Sequence, residues 1–187
     1  MEKDHQIEQA ISILQSQTNA YLLEIKKLVT ELSVSKKFNV ISYFTYSLNI
    51  SHDSELENMC IGSYHILNIG SQPITNPYIC ITLSEDAPFS FSGRYVYKDS
   101  KQSLKVKGGW ERINEQENKK EFWLKPLDTN TIHPQETLSF TNFQIKWMPA
   151  ETYGGSVLGF SYSDQLKDGL SAVNPINLNG SVYKKEG

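Results

Sequence analysis

A chain of 187 residues, 39% hydrophobic and 21% charged, has an ordinary globular composition with room for one medium domain and an appendage. Its formal net charge of −3, with Lys and Arg scattered among acids, gives no basic face for nucleic acid, and the densest basic patch, Lys98, Lys101, Lys105 and Lys107, reads as a solvated strand or turn. Cys60 and Cys80 belong to no CxxC pair, no basic-then-apolar leader follows Met1, and no apolar run approaches the roughly 18 residues of a membrane span, so zinc, secretion and a membrane helix are all argued against.

The chain opens on a segment of helical period. Ile7, Ile11, Leu14, Thr18, Tyr21, Ile25, Leu28 and Leu32 recur at alternating steps of four and three, an unbroken heptad. Ile11, Thr18, Ile25 and Leu32 take the a positions; Ile7, Leu14, Tyr21 and Leu28 take d. Asp4 is placed to cap the first turn, and neither Pro nor Gly interrupts the segment before Phe38. A long isolated helix is only marginally stable in water, so the stripe must be buried. It can meet sister copies in a parallel coiled coil, or fold back along the rest of its own chain. The strict 3.5 spacing favours sister copies. Ala10, Leu22 and Val29 widen the seam, which favours a trimer over a dimer.

Residues 1–37 are therefore expected to form a coiled-coil helix and short linker, and 38–187 a β domain. From Phe38 the period drops to two in FNVISYFTYSLNI, rich in β-branched and aromatic residues. Further strands are expected over 58–69, 78–83, 89–97, 104–113, 120–124, 137–148 and 156–162, with a short one at 180–183. Turn residues separate them: Gly70 to Pro73, Asp86 to Pro88, Asn114 to Asn118, Pro126 to Pro134, Pro149 to Gly155 and Asp164 to Gly169. Eight or nine strands without intervening helices exclude a βαβ fold and indicate a mainly β, antiparallel sandwich.

Two stretches carry a resemblance. YHILNIGSQPITNPYICITLS (64–84) has a strand, an Asn-x-Gly turn, then a strand led by a proline bend. IHPQETLSFTNFQIKW (132–147) has a proline-and-polar turn before a long alternating strand. Together they resemble immunoglobulin-like modules of bacterial and phage structural or adhesion proteins. That resemblance implies an immunoglobulin-like sandwich in an assembly or binding role.

Chemical motifs are few. His5, His52, His65 and His133 share no metal spacing; SHDSELE gathers His52, Asp53, Glu55 and Glu57, readable as a cation loop or, more simply, as a solvated turn. No GxSxG, GxGxxG, P-loop or HExxH is present. KGGW (107–110) fits a hairpin turn with Trp110 packing across it, and YGGSVLGFSYS (153–163) a flexible turn feeding a strand. No enzyme activity, metal or cofactor is expected. The thiols are expected to be reduced and buried, a disulfide being the alternative. Asn49-Ile50-Ser51 and Asn179-Gly180-Ser181 match the glycosylation acceptor pattern by chance if the protein is made in the cytoplasm without a signal peptide.

GFSYSDQLKDGLSAVNPINL (159–178) contains a long connection with Asp164, Leu166 and Asp168, where Leu166, Leu170 and Val173 are spaced for a turn or two of helix. The functional expectation is a coiled-coil homo-oligomer presenting sandwich modules for protein binding or for assembly into a particle, spore or virion surface. Its contact surface would draw on Trp110, Tyr153, Asp164, Leu166 and Asp168. The alternative is a carbohydrate- or other ligand-binding sandwich that uses its Tyr and Trp faces.

Overall fold

In the computed structural model, residues 2–35, 38–51, 55–97, 108–149 and 152–182 are described. The chain divides into two compact units, Met1–Lys37 and Phe38–Gly187. The first contains one helix, α1 (Glu2–Ser35), of 34 residues, about 50 Å long at 1.5 Å per residue. Because α1 begins at Glu2, Asp4 lies inside its first turn and not at the cap. The Asp4 side chain lies outside the described residues. Among the described residues no helix is long and apolar enough to cross a membrane.

The second unit is β. One sheet runs in the order β1 (Val40–Asn49), β2 (Asn58–Asn68), β10 (Thr137–Trp147), β5 (Ser90–Ser92). The other runs β12 (Leu170–Ser171), β11 (Tyr153–Tyr162), β4 (Tyr78–Leu83), β8 (Glu121–Pro126), β7 (Trp110–Arg112), β6 (Tyr95–Tyr97), with β13 (Ile176–Gly180) also paired to β11. A short ladder joins β3 (Ile74–Thr75) to β9 (Thr131–Ile132). All ladders are antiparallel except β6–β7, which is parallel. The stretch expected as one strand over 89–97 is two, broken at Gly93, and of 104–113 only Trp110–Arg112 is strand among the described residues. The last strand falls at Ile176–Gly180; Tyr183 and the four lysines Lys98, Lys101, Lys105 and Lys107 lie outside the described residues.

The inner faces of the two large sheets share one hydrophobic cluster. Phe44, Cys60, Tyr64, Ile66, Phe140, Phe143, Ile145 and Trp147 come from one sheet; Ile79, Ile81, Leu83, Phe122, Leu124, Val157, Ile176 and Leu178 come from the other. In β4 the alternation is regular, with Ile79, Ile81 and Leu83 turned in. In β10 it is not. The β2–β10 register shifts between Phe140 and Phe143, and Asn142 adopts a left-handed backbone with φ 58°. That bulge resets the phase, so Phe140 and Phe143 both point inward. The Phe143 ring then lies across Gly62, its partner in β2, where any Cβ would collide with it.

Hydrogen bonds tie the layers at one buried polar point. The Ser42 and Ser161 hydroxyls lie 2.6 Å apart, and the Tyr64 hydroxyl is 2.9 Å from Ser161. Asn68, fully buried, donates to the Gln72 and Ile132 carbonyls and accepts from the Gly70 amide, closing the Asn-x-Gly turn. Arg112, also buried, donates to the backbone carbonyls of Glu115, Asn118 and Glu121 and sits 4.5 Å over the Phe122 ring. The guanidinium thereby organises the 113–121 connection without a carboxylate partner among the described bonds.

Candidate interaction surfaces

The seam of α1 is open. Ile11, Leu14, Tyr21, Ile25 and Leu28 are each at least half exposed, Tyr21 at 66%. Leu22 and Val29 beside them are exposed as well. Thr18, the polar member, donates its hydroxyl to the Leu14 carbonyl at 2.8 Å. Its hydrogen is satisfied within the helix, so Thr18 can enter an apolar seam without orphaning a donor. The side chains of Ile7 and Leu32 lie outside the described residues. Fully burying an exposed Leu or Ile is worth roughly 1.5–3 kcal/mol, so a continuous row of them is a strong drive to associate.

The candidates on the β unit separate into two kinds. Trp110 and Tyr153 belong to the core, at 3% and 8% exposure. Trp110 meets Phe140 edge-on, and Tyr153 lies against Trp147. Neither ring is at the surface where a partner would meet it. The reason is the alternation of β7 and β11, which turns both side chains between the sheets. Asp164, Leu166 and Asp168 lie on the connection after β11. Asp164 is exposed, and its Oδ2 accepts from the Thr75 hydroxyl and the Asn76 amide, both at 2.7 Å. These two donors hold the Asp164 carboxyl below its usual pKa. Leu166 is half-buried and Asp168 exposed. The connection is not helical: the Ser163 hydroxyl accepts from the amides of Gln165 and Leu166, and Gly169, at φ 79°, packs its backbone against the Tyr162 ring. Leu170 goes to strand instead, pairing Ser161.

Sequence reasoning passed over a cluster on the outer face of the second sheet. Tyr78 and Tyr162 stack at 5.1 Å and 9°, and Trp123 lies 5.1 Å from Tyr162. The Trp123 indole donates to Glu121 Oε2 at 3.3 Å. Tyr78 and Tyr162 each turn one face on the other, so those two faces are occupied internally. Only register brings residues 78, 123 and 162 together, which is why no local pattern announces them.

Cys60 and Cys80 are free and buried. Cys60 belongs to the shared core, whereas Cys80 points to the opposite face of β4 from Ile79 and Ile81. Side chains so placed on different layers do not meet the short Cβ separation that a disulfide needs. Loss of hydration pushes both thiols up to about 11. Of the acidic loop, His52 and Asp53 lie outside the described residues, and Glu57 pairs with Lys146 at 2.9 Å. Among the described residues no three His, Cys, Asp or Glu side chains gather as a metal site. His65 has each ring nitrogen on a hydroxyl, Thr45 at 2.9 Å and Ser139 at 2.8 Å, and partial burial lowers its pKa.

No family model and no curated protein matches the chain. Solved structures with a similar course include a cohesin module of a Clostridium perfringens family 33 glycoside hydrolase, 11% identical, covering 79% of this chain and all of that one at a TM-score of 0.40. The bacterial hydrophobin BslA is 10% identical, covering 79% and 97% of the two chains at 0.38. A FixG-related protein from Vibrio parahaemolyticus is 9% identical, covering 77% and 96% at 0.29.

Proposed function

We propose that the protein is a non-enzymatic structural and interaction protein. Copies associate through α1 as a parallel coiled coil, a trimer in preference to a dimer, and the stalk presents immunoglobulin-like sandwich modules for protein binding or for assembly into a particle or a spore or virion surface. The observation that carries this reading is the exposed heptad of α1, with Thr18 already satisfied inside its own helix. A cyclic oligomer multiplies a weak contact by effective concentration, so modules on a stalk bind with avidity that one alone lacks. Asp168 and Leu166 are the candidates left to contact a partner, since Asp164 is engaged and Trp110 and Tyr153 are in the core.

The carbohydrate reading draws on stacking faces. The Tyr78–Trp123–Tyr162 cluster spends one face of each tyrosine on the other, which leaves less ring surface for a sugar. The deciding experiment is the solution mass of the full chain against residues 38–187 alone. At low concentration a trimer for the first and a monomer for the second is the expected pair. A full chain that weighs as one copy refutes the stalk.

A further inference from the structure

The first strand of the β unit has an edge that is half sealed and half open. β1 pairs with β2 on one side only. Along its other side the Val173 amide donates to the Ser42 carbonyl at 2.8 Å. Next, the Asn174 side chain accepts from the Phe44 amide at 2.8 Å and donates to the Phe44 carbonyl at 3.0 Å, standing in for a neighbouring strand. Pro175 then ends this cover, because the chain crosses to pair with β11 as β13. Backbone groups alternate in direction along a strand. Since Ser42 and Phe44 point their groups away from β2, Tyr46 and Leu48 do so too. Among the described residues nothing bonds to the N–H or C=O of Tyr46 or Leu48 on that side.

The same two residues carry the misplaced apolar surface. Their side chains share the inward phase of Phe44, yet Tyr46 is 43% and Leu48 44% exposed. Leu48 and Ile50 line a groove together with Trp147, Asn177 and Leu178. Natural edge strands are blunted by charge, proline or bulges. From Val40 to Ser51 there is no charged residue and no proline, and the β1 register is unbroken.

We propose that the open half of β1 is a self-association edge, occupied by β1 of a second copy in antiparallel two-fold pairing centred on Ser47. In that register Tyr46 of each copy exchanges both backbone bonds with Leu48 of the other. Their side chains form two cross-strand aromatic–aliphatic pairs on the groove side. The contact is isologous and self-limiting, because the Asn174 cap of each copy stops the pairing beyond Phe44. An uncharged strand meets its own copy without like-charge repulsion, which favours a second copy over a charged foreign segment. This contact is independent of α1. With a cyclic stalk, a two-fold edge would join one oligomer to the next.

The test uses the full chain carrying Ile25→Asp and Leu28→Asp, so that the stalk contributes nothing. Sedimentation equilibrium should show a concentration-dependent dimer, weakened about tenfold or more by adding Leu48→Lys, which puts an inward charge on the edge. A second readout is covalent. Ser47 faces its own copy at a non-hydrogen-bonded site, where Cα atoms sit roughly 4.5 Å apart, within disulfide reach. Under mild oxidation Ser47→Cys should form a covalent dimer much faster than Thr45→Cys, whose opposite residue is Asn49. A chain that stays monomeric at every concentration, with Ser47→Cys no faster than Thr45→Cys, overturns the proposal and leaves the edge to a strand of another protein. Association that survives Leu48→Lys overturns it as well. Neither result bears on the stalk, which is read separately from the unsubstituted chain.

Discussion

At the residue scale, two features of the core yield direct expectations. The thiols of Cys60 and Cys80 are raised from 9.0 to about 11 by lost hydration, so at neutral pH the native protein holds far less thiolate than the unfolded chain. Iodoacetamide should label both cysteines slowly in the native state and rapidly in denaturant, read by mass spectrometry; fast native labelling would show that the sites open. A group whose folded pKa is raised is most stabilising below its unfolded pKa, so stability should decline as pH climbs from 9.0 toward 11, with the buried Tyr64 phenol adding to the loss. His65 acts at the other end. Its pKa is lowered below 6.5, so its contribution is complete above that value and fades as pH falls. The second feature is Gly159, where an added Cβ would run into the Tyr64 and Phe44 rings. Gly159→Ala should cost about 1–3 kcal/mol, the usual price of overpacking, seen as a lower denaturant midpoint at unchanged slope.

At the scale of elements, α1 and β1 pose the same physical question. Each is regular, satisfied along its backbone on one side or within itself, and left with apolar side chains in water. For α1 the proposed remedy is copies of itself, and Ile25→Asp with Leu28→Asp should abolish the stalk oligomer by placing carboxylates in the seam, leaving single chains at concentrations too low for the β1 edge to pair. Trp110, Trp123 and Trp147 all lie in the β unit, so tryptophan emission should not change in that variant. A changed emission would mean that the two units depend on each other for folding; an unchanged mass would mean that the seam is not the contact. For β1 the uncovered half follows from Pro175, which takes the chain from one sheet to the other before the edge is fully lined.

At the scale of the whole molecule, the cluster that holds the β unit together draws its buried members, among the described residues, from Phe44 to Leu178 of that unit. A core complete within one unit should fold alone. Residues 38–187 are therefore expected to unfold cooperatively in denaturant and to weigh as one copy at low concentration, the arm of the mass comparison that separates folding from oligomerisation. Failure of the fragment to fold would show that α1 supplies more than assembly.

The change of period at Phe38, the abundance of β-branched and aromatic residues and the regular turns made a helix followed by antiparallel strands legible in the sequence, because those signals are local. The heptad was legible for the same reason: side chains at steps of three and four share a face in any helix. What only the tertiary structure decided is phase and neighbourhood. The bulge at Asn142 shifts inward residues from one parity to the other, and no rule of alternation contains that slip. Trp110 and Tyr153 read as contact residues until register turned them inward. The open edge of β1 depends on where a chain 130 residues away, at Asn174, stops covering it. Sequence determines what each segment prefers; only the packed fold decides which backbone groups and apolar faces are left without a neighbour.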